Sequence, residues 1–198
     1  MKTKARICWR CRTLYQVLEM ALAWLCPHTK KTPTVRVRDL NAMTDGDCAA
    51  LLLNVVERWP AAAEAICSGR PYQTADHVTA AAGDYLDCLA PADKEEVLCS
   101  HPDLGSKEQL TEESNREQHM AGLQTNSKAT VSGIHELSLS YKSKFGFPFV
   151  ICARENKPDT ILEGLRRRLQ NSKEDELETG ISEVKKICNL RIKDLVED

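Results

Sequence analysis

The signatures of several common functional classes are missing from this sequence of 198 residues. No apolar run comes close to the roughly 20 residues that a membrane-spanning helix needs, so we expect no membrane span. There is no glycine-rich phosphate loop, no nucleophile elbow and no metalloprotease motif. The net charge is −2, so no basic field favours binding to nucleic acid. If the protein is an enzyme, these absences leave acid–base and electrostatic catalysis by ordinary side chains.

The nine cysteines do not suggest a disulfide framework. Their number is odd and the chain is not short and loop-rich, so we expect free thiols and a reducing compartment. From residue 48 onward each cysteine stands singly beside apolar residues and is interpreted as a small buried hydrophobe. We predict no metal site. A zinc module is the weaker alternative, with unusual spacing; its ligands would be Cys8, Cys11, Cys26 and His28.

The chain divides into an extension and a helical domain. Residues 1–35 are predicted to be a poorly ordered amphipathic extension. Residues 36–198 are predicted to form one compact all-α domain of about eight helices, because apolar residues recur at helical spacing without strand alternation. One helix is predicted over residues 44–59, ended by a proline. Later helices are predicted to begin at capping or first-turn residues: Thr74, Pro91, Thr111 or Ser114, Ser127, Pro158 and Ser172.

The stretch SHPDLGSKEQLTEESNREQ, residues 100–118, carries the strongest candidates for chemistry. His101 can exchange a proton near neutral pH, and Pro102 restricts the backbone beside it. Ser114, Glu117 and Gln118 share one face of the next predicted helix by three-and-four spacing. A capping histidine and a solvated helix start would explain the same residues without catalysis, so both interpretations stand at this point.

Two later stretches complete the candidate site. FGFPFV, residues 145–150, cannot form a regular helix and is predicted to be a buried extended connection. Arg191 lies between apolar helix positions, where an arginine pairs with a buried carboxylate or binds an anionic ligand. The three arginines at 166–168 are interpreted as a solvated helix face, because acidic residues surround them and no aromatic residues interleave.

At these residues the chain resembles a known family. SHPDLG, SNREQHMAGL, YKSKFGFPFVICAR and ISEVKKICNLRIKDL, in this order, are similar to motifs of the 2-oxo-4-hydroxy-4-carboxy-5-ureidoimidazoline (OHCU) decarboxylase family of urate degradation. The likeness covers roughly residues 36–198. It implies an all-α homodimer that needs no cofactor or metal. Its activity would be conversion of OHCU, a small-molecule substrate, to (S)-allantoin with loss of CO2.

The resemblance also implies roles for individual residues. His101 and Glu117 match the catalytic pair: His101 would handle the substrate hydroxyl or the incoming proton, and Glu117 would orient His101 and the ureido nitrogens. Arg191 would steer the substrate carboxylate or fix Glu117. The substrate-binding residues that the matching motifs imply are Pro102, Ser114, Glu117, Gln118, Phe149, Val150, Ile151, Cys152, Ala153 and Arg191.

Three departures from the family pattern lead to further expectations. The loop between His101 and Ser114 is a few residues shorter than usual, which motivates the alternative of a catalytically impaired helical dimer that acts as a binding or scaffold protein. The extension does not match the family. The sequence ends in Leu-Val-Glu-Asp and not in a peroxisomal Ser-Lys-Leu type of tripeptide. A peroxisomal location is therefore expected from the resemblance alone, with the cytosol as the alternative.

Overall fold

The computed structural model describes residues 34–105, 110–123 and 127–198, and over these ranges the fold is helical as predicted. None of the helices in these ranges is long and apolar enough to cross a bilayer. The extension and the four zinc candidates lie outside the described ranges, except for the last two residues of the extension, so both stay predictions. The described helices are α1 (Val37–Ala42), α2 (Asp45–Leu52), α3 (Pro60–Ser68), α4 (Ala75–Asp87), α5 (Pro91–Ser100), α6 (Glu112–Met120), α7 (Lys128–Phe145), α8 (Pro158–Arg168) and α9 (Lys173–Leu195).

Helix starts follow the capping signals in the sequence. At each capped start, a hydroxyl oxygen accepts a hydrogen bond from a backbone N–H three residues later, which satisfies one of the free donors of the first turn. Prolines occupy the first position of α3, α5 and α8, where a missing N–H costs nothing. The side-chain caps are Thr44, Thr74, Thr111, Ser127 and Ser172.

The structure contains a short parallel strand pair that the all-α prediction did not include. β1 (Val35–Arg36) pairs with β2 (Val196–Glu197), with Val35 opposite Val196. Two residues per strand are too few for an alternating pattern to show in the sequence. The pair places the end of α9 beside the start of α1.

The prediction of one helix over residues 44–59 is wrong in its second half. α2 and α3 are separated by an irregular turn, residues 53–59. Within it Arg58 has a φ of 49°, a left-handed conformation that is uncommon for a residue with a side chain. The turn directs Val56 and Glu57 into the interior, where they are 1% and 0% exposed. An acidic side chain therefore enters the core at a position where a continuous helix would carry it elsewhere.

The expectation of free thiols is wrong for two of the cysteines. Cys48 on α2 and Cys67 on α3 form a disulfide, with Cα atoms 6.1 Å apart. Both side chains face the packed interface between these helices, and this proximity comes from tertiary packing that sequence spacing does not reveal. The other cysteines in the described ranges divide equally, with Cys88 and Cys99 exposed and Cys152 and Cys188 buried. The buried-hydrophobe interpretation thus fails for the exposed pair.

The arginine run at 166–168 is not uniformly solvated. Arg168 is only 4% exposed, and it forms an ion pair with the fully buried Glu176 of α9. Its guanidinium also donates to the Val150 carbonyl oxygen at 2.8 Å and lies 4.4 Å from the ring centroid of Phe149. The helical period of 3.6 turns one of three consecutive residues inward, and that residue supports the extended connection from behind.

The ends of two helices bring the candidate residues together. α5 ends because Pro102 forces the preceding His101 into an extended conformation, with φ −78° and ψ 143°. α7 ends at Gly146, which has a φ of 88° in the left-handed region that favours glycine. The chain then runs without regular helix to residue 152, as predicted for the FGFPFV stretch. His101 and this extended connection therefore lie against α6 and α9.

Candidate active site

A cavity lies between the end of α5, the helices α6 and α9, and the extended connection. About 370 Å³ of space between protein atoms lies in it, part of which is open to solvent. Every residue that the sequence predicts for the site lines this cavity, with the exception of Cys152. Leu104 and Ile187 add apolar surface. The structure therefore gathers side chains from residues 101 to 191 of the sequence into one place.

The ring of His101 is held in one tautomer. Its Nδ1 lies 3.0 Å from the Val97 carbonyl oxygen, one turn earlier in α5. A carbonyl can only accept, so Nδ1 carries the hydrogen and Nε2 keeps a lone pair. Nε2 is buried and has no hydrogen-bond partner within the described part of the chain. A backbone carbonyl, and not Glu117, therefore orients the ring in this structure.

The His101 ring is neutral at physiological pH. Burial is the main cause that lowers its pKa from 6.5 to about 4, and the charge of Arg191 adds to the effect. The Val97 hydrogen bond and the nearby Glu57 carboxylate oppose it, without reversing it. At pH 7 the ring offers Nε2 as a proton acceptor.

Arg191 fixes the carboxylate of Glu117 with two parallel hydrogen bonds. Its Nε donates to Oε1 at 2.9 Å, and its Nη2 donates to Oε2 at 2.8 Å. Such a bidentate pair sets the plane of the carboxylate as well as its position. Of the two roles that the sequence suggests for Arg191, fixing Glu117 is therefore the one that its contacts serve.

The remaining hydrogens of Arg191 also have protein partners. Nη1 donates to the Asn54 carbonyl oxygen at 2.7 Å and to the Glu57 carboxylate at 2.8 Å. Nη2 donates to the hydroxyl of Ser114 at 3.2 Å. A guanidinium has five N–H donors, and all five are engaged. No donor is left for a substrate carboxylate, so Arg191 shapes the site through Glu117.

Gln118 is oriented by the backbone of the loop after α5. The Gly105 N–H donates to Oε1 of Gln118 at 3.0 Å. This bond settles which end of the amide carries the oxygen. The NH2 group of Gln118 is therefore the end that is available as a donor to a ligand in the cavity.

The extended connection turns alternate backbone groups toward the cavity. The Val150 carbonyl accepts from Arg168, and the Cys152 N–H donates to Glu183 at 2.8 Å, so these two backbone groups point away from the cavity. Successive residues of an extended chain face opposite sides. Ile151 lies between them, and its N–H and C=O form no hydrogen bond with any residue of the described ranges. Because Ile151 lines the cavity, the alternation predicts that these two groups point toward it.

Cys152 stands apart from the other predicted site residues because it does not line the cavity. Burial raises the pKa of its thiol to about 11, so the thiol stays protonated at neutral pH and is a poor nucleophile. Its contribution is the backbone N–H that anchors the connection to α9. In the described ranges, no group of three or more histidine, cysteine or acidic side chains is arranged to hold a metal ion.

The comparison with known protein families agrees with this geometry. The family model described as OHCU decarboxylase matches residues 41–193, which is more than three quarters of the chain. The chain belongs to the OHCU decarboxylase family.

Curated members of the OHCU decarboxylase family are similar over most of their length. The 2-oxo-4-hydroxy-4-carboxy-5-ureidoimidazoline decarboxylase of Amia calva is 39% identical over 165 residues, which cover 81% of this chain and 94% of the relative. The protein of the same name from Xenopus laevis is 43% identical over 146 residues, covering 72% and 83%. The one from Mus musculus is 37% identical over 161 residues, covering 79% and 90%.

Solved structures show the same fold. A crystal structure of an OHCU decarboxylase in the presence of (S)-allantoin superimposes with a TM-score of 0.57 at 28% identity, covering 67% of this chain and 87% of that one. A crystal structure of (S)-allantoin synthase gives a TM-score of 0.67 at 24% identity, covering 82% of this chain and 54% of that one. The predicted family and the all-α fold are confirmed.

Within this OHCU decarboxylase fold, the loop between His101 and Ser114 does not separate the predicted catalytic pair. Residues 106–109 of the loop lie outside the described ranges, but both of its ends are described. His101 before it and Glu117 after it line the same cavity. Their individual roles in catalysis and binding stay predictions. The sequence analysis missed Glu57 and Thr111, which contact site residues from outside the cavity.

Proposed function

We propose that the chain catalyses the decarboxylation of OHCU to (S)-allantoin and CO2 in urate degradation. The observation that carries the proposal is the arrangement around one cavity of a neutral His101, whose Nε2 is free, and a Glu117 carboxylate held by Arg191. Family membership supplies the substrate. The chain's own side chains and backbone supply the acid–base and electrostatic groups that the reaction needs.

The chemistry of the substrate follows from its structure. The hydroxyl and the carboxylate share ring carbon 4, and the ureido group is on carbon 5, which forms the ring C=N bond. When the bond to the carboxylate breaks, CO2 leaves and its electron pair forms a C=C bond between carbons 4 and 5. The electrons of the C=N bond then move to nitrogen, where negative charge develops. Groups that donate hydrogen bonds to that charge lower the barrier.

His101 is placed to move the proton that completes the reaction. Its neutral Nε2 takes the proton of the hydroxyl on carbon 4, which becomes the carbonyl of allantoin. The resulting imidazolium returns the proton to carbon 5, and solvent supplies the proton that the ring nitrogen acquires. Delivery from one fixed nitrogen protonates only one face of the planar intermediate. We infer that this fixed direction produces the (S) configuration.

The other groups at the cavity position the substrate. The carboxylate of Glu117 accepts hydrogen bonds from the ureido N–H groups, and its plane is set by Arg191. The NH2 of Gln118 and the free N–H of Ile151 donate to ring oxygen and nitrogen atoms. The aromatic wall of Phe149 limits access of water, which would protonate the intermediate from either face.

A histidine exchange tests the proposal. We expect His101→Asn to lose enzymatic acceleration and to yield racemic allantoin, because asparagine cannot take and return a proton. OHCU would be generated in situ from urate with the two upstream enzymes. The chirality of the allantoin would be followed by circular dichroism. His77→Asn is the matched control, since His77 is exposed on α4 and does not line the cavity.

Two results would contradict the proposal. Racemic allantoin at the uncatalysed rate with the wild-type protein would contradict the proposed decarboxylase activity itself. Retention of (S)-specific activity in His101→Asn would contradict only the role proposed for His101. The scaffold alternative depended on separation of His101 from Glu117, and the cavity that both residues line does not favour it.

The oligomeric state and the compartment are proposals that rest on the family resemblance alone. We propose a homodimer, which light scattering on the purified full chain would detect as twice the monomer mass. A monomeric mass would contradict it. A peroxisomal location is proposed, with the cytosol as the alternative. Imaging of the tagged full chain together with a peroxisomal marker distinguishes them.

A further inference from the structure

One buried carboxylate contacts both halves of the candidate site without lining the cavity. Glu57 lies in the irregular turn between α2 and α3 and is 0% exposed. Its backbone oxygen accepts a hydrogen bond at 2.6 Å from the hydroxyl of Ser100, the residue before His101. Its side chain points the other way, to α6 and α9. The same residue thus connects the element that ends at His101 with the elements that carry Glu117 and Arg191.

The Glu57 carboxylate accepts three hydrogen bonds. Oε1 accepts from the Thr111 hydroxyl at 2.7 Å. Oε2 accepts from the Ser114 hydroxyl at 2.9 Å and from Nη1 of Arg191 at 2.8 Å. Thr111 caps α6, and Ser114 is one turn before Glu117 on the same helix. Glu57 therefore fixes the first turn of the helix that presents Glu117, as well as the arginine that holds Glu117.

The charge of this cluster also depends on Glu57. Burial tends to raise the pKa of Glu57, but the guanidinium of Arg191 and the three hydrogen bonds outweigh it and hold the pKa below its usual value. Glu57 is therefore ionised at neutral pH and shares the cation Arg191 with Glu117. Without the charge on Glu57, Arg191 would act on Glu117 alone and reduce its strength as a hydrogen-bond acceptor.

The backbone beside Glu57 is held in a costly conformation. The left-handed φ of Arg58 is unfavourable by about 1–2 kcal/mol for a residue with a side chain. Such a conformation persists where the surrounding contacts determine it. The hydrogen bonds of the neighbouring Glu57 with Ser100, Thr111 and Ser114 are among the contacts that hold the turn. The strained turn and the buried carboxylate thus occur together in the structure.

We propose that Glu57 is a positioning residue for the reaction: it fixes Arg191 and the first turn of α6 so that Glu117 is held at the angle and charge that the substrate requires. The inference rests on the proposed decarboxylase function, and it goes beyond the residues that line the cavity. Glu57 does not touch the substrate. It acts through Arg191 and Glu117.

The exchange Glu57→Gln tests the proposal because it keeps the shape and removes the charge. The amide oxygen can replace Oε2, and the amide NH2 can donate to the Thr111 hydroxyl oxygen. We expect kcat per folded molecule to fall on the order of tenfold to a hundredfold, since a small misplacement of a reacting group has effects of that size. We expect KM to change far less, and the excess of (S)-allantoin to decrease.

A matched control and a second variant separate positioning from general stability. Glu178→Gln removes a carboxylate whose partner is Lys94 at 2.8 Å, away from the cavity, and should leave kcat unchanged. If Glu57→Gln does not fold, Glu57→Asp retains the charge with a shorter reach and replaces it in the assay. The double variant with Glu117→Gln should lose little more than Glu117→Gln alone, because both changes act on the same group. Unchanged kcat in Glu57→Gln, or fully additive losses, would overturn the proposal.

A spectroscopic measurement makes the test independent of catalysis. In the wild-type protein all Nη hydrogens of Arg191 are bonded, so nuclear magnetic resonance should show them as separate, slowly exchanging signals. In Glu57→Gln we expect them to broaden and merge. Should the wild-type protein lack decarboxylase activity, the proposed function fails, and this measurement still decides whether Glu57 holds Arg191. Identical Arg191 signals in both proteins would overturn the inference.

Discussion

Acid should destabilise the folded protein through His101 in a defined pH range. The pKa of a histidine in the unfolded chain is about 6.5, and burial lowers that of His101 to about 4 in the folded state. Between these values the unfolded chain binds the proton more readily, so stability rises with pH. Each pH unit inside the window changes the free energy of unfolding by up to about 1.4 kcal/mol. Lowering the pH from 6.5 to 4.5 should therefore remove about 2–3 kcal/mol.

The exchange His101→Asn isolates this contribution, because asparagine does not titrate. Urea unfolding of both proteins would be followed by circular dichroism at several pH values from 4.5 to 7.5. We expect the stability difference between wild type and variant to shrink as the pH falls and to be constant above pH 7. Parallel stability curves over the whole range would refute the buried, neutral His101 on which the proton transfer depends.

Further changes test the support of the cavity wall and the packing of α9. Arg168→Leu should lower the free energy of unfolding by about 3–5 kcal/mol, because it leaves the Glu176 carboxylate buried without a cation; urea unfolding measures this, and a loss below 1 kcal/mol would contradict the ion pair. Gly180→Ala should cost about 1–3 kcal/mol, since a Cβ would lie 2.8 Å from the fully buried Leu98. Gly83→Ala on α4 meets nothing within 4 Å and should instead stabilise by up to about 1 kcal/mol. Thermal unfolding of the two alanine variants checks these opposite signs.

The parts of the site that local signals determine could be predicted from the sequence. A proline after the end of α5 fixes where the helix stops, and this places His101 at its C-terminus. A capping threonine sets the phase of α6, which puts Ser114, Glu117 and Gln118 on one face. Glycine and proline at 146 and 148 interrupt the helix and produce the extended wall. In each case the determining residue lies within a few positions of the element that it shapes.

The parts that depend on tertiary contacts could not be predicted. Residues 53–58 contain no glycine or proline, and their apolar spacing continues that of α2. No signal within them therefore predicts the turn that buries Glu57. Its partners Thr111 and Arg191 are 54 and 134 residues away. The same limit applies to the disulfide of Cys48 and to the inward turn of Arg168. Packing between distant elements decides all of these positions.

The strand pair at the ends of the domain affects how the site can open. The last turn of a helix usually frays, because its carbonyl groups lack partners and few contacts hold it. The last turn of α9 begins one residue after Arg191, yet the chain continues directly into β2, where Val196 pairs with Val35 and is 2% exposed. Asp198 also accepts a hydrogen bond from the first residue of α4 at 2.7 Å. Local opening near Arg191 therefore requires simultaneous opening of the start of the domain, which joins this arginine to the cooperative unit of the fold.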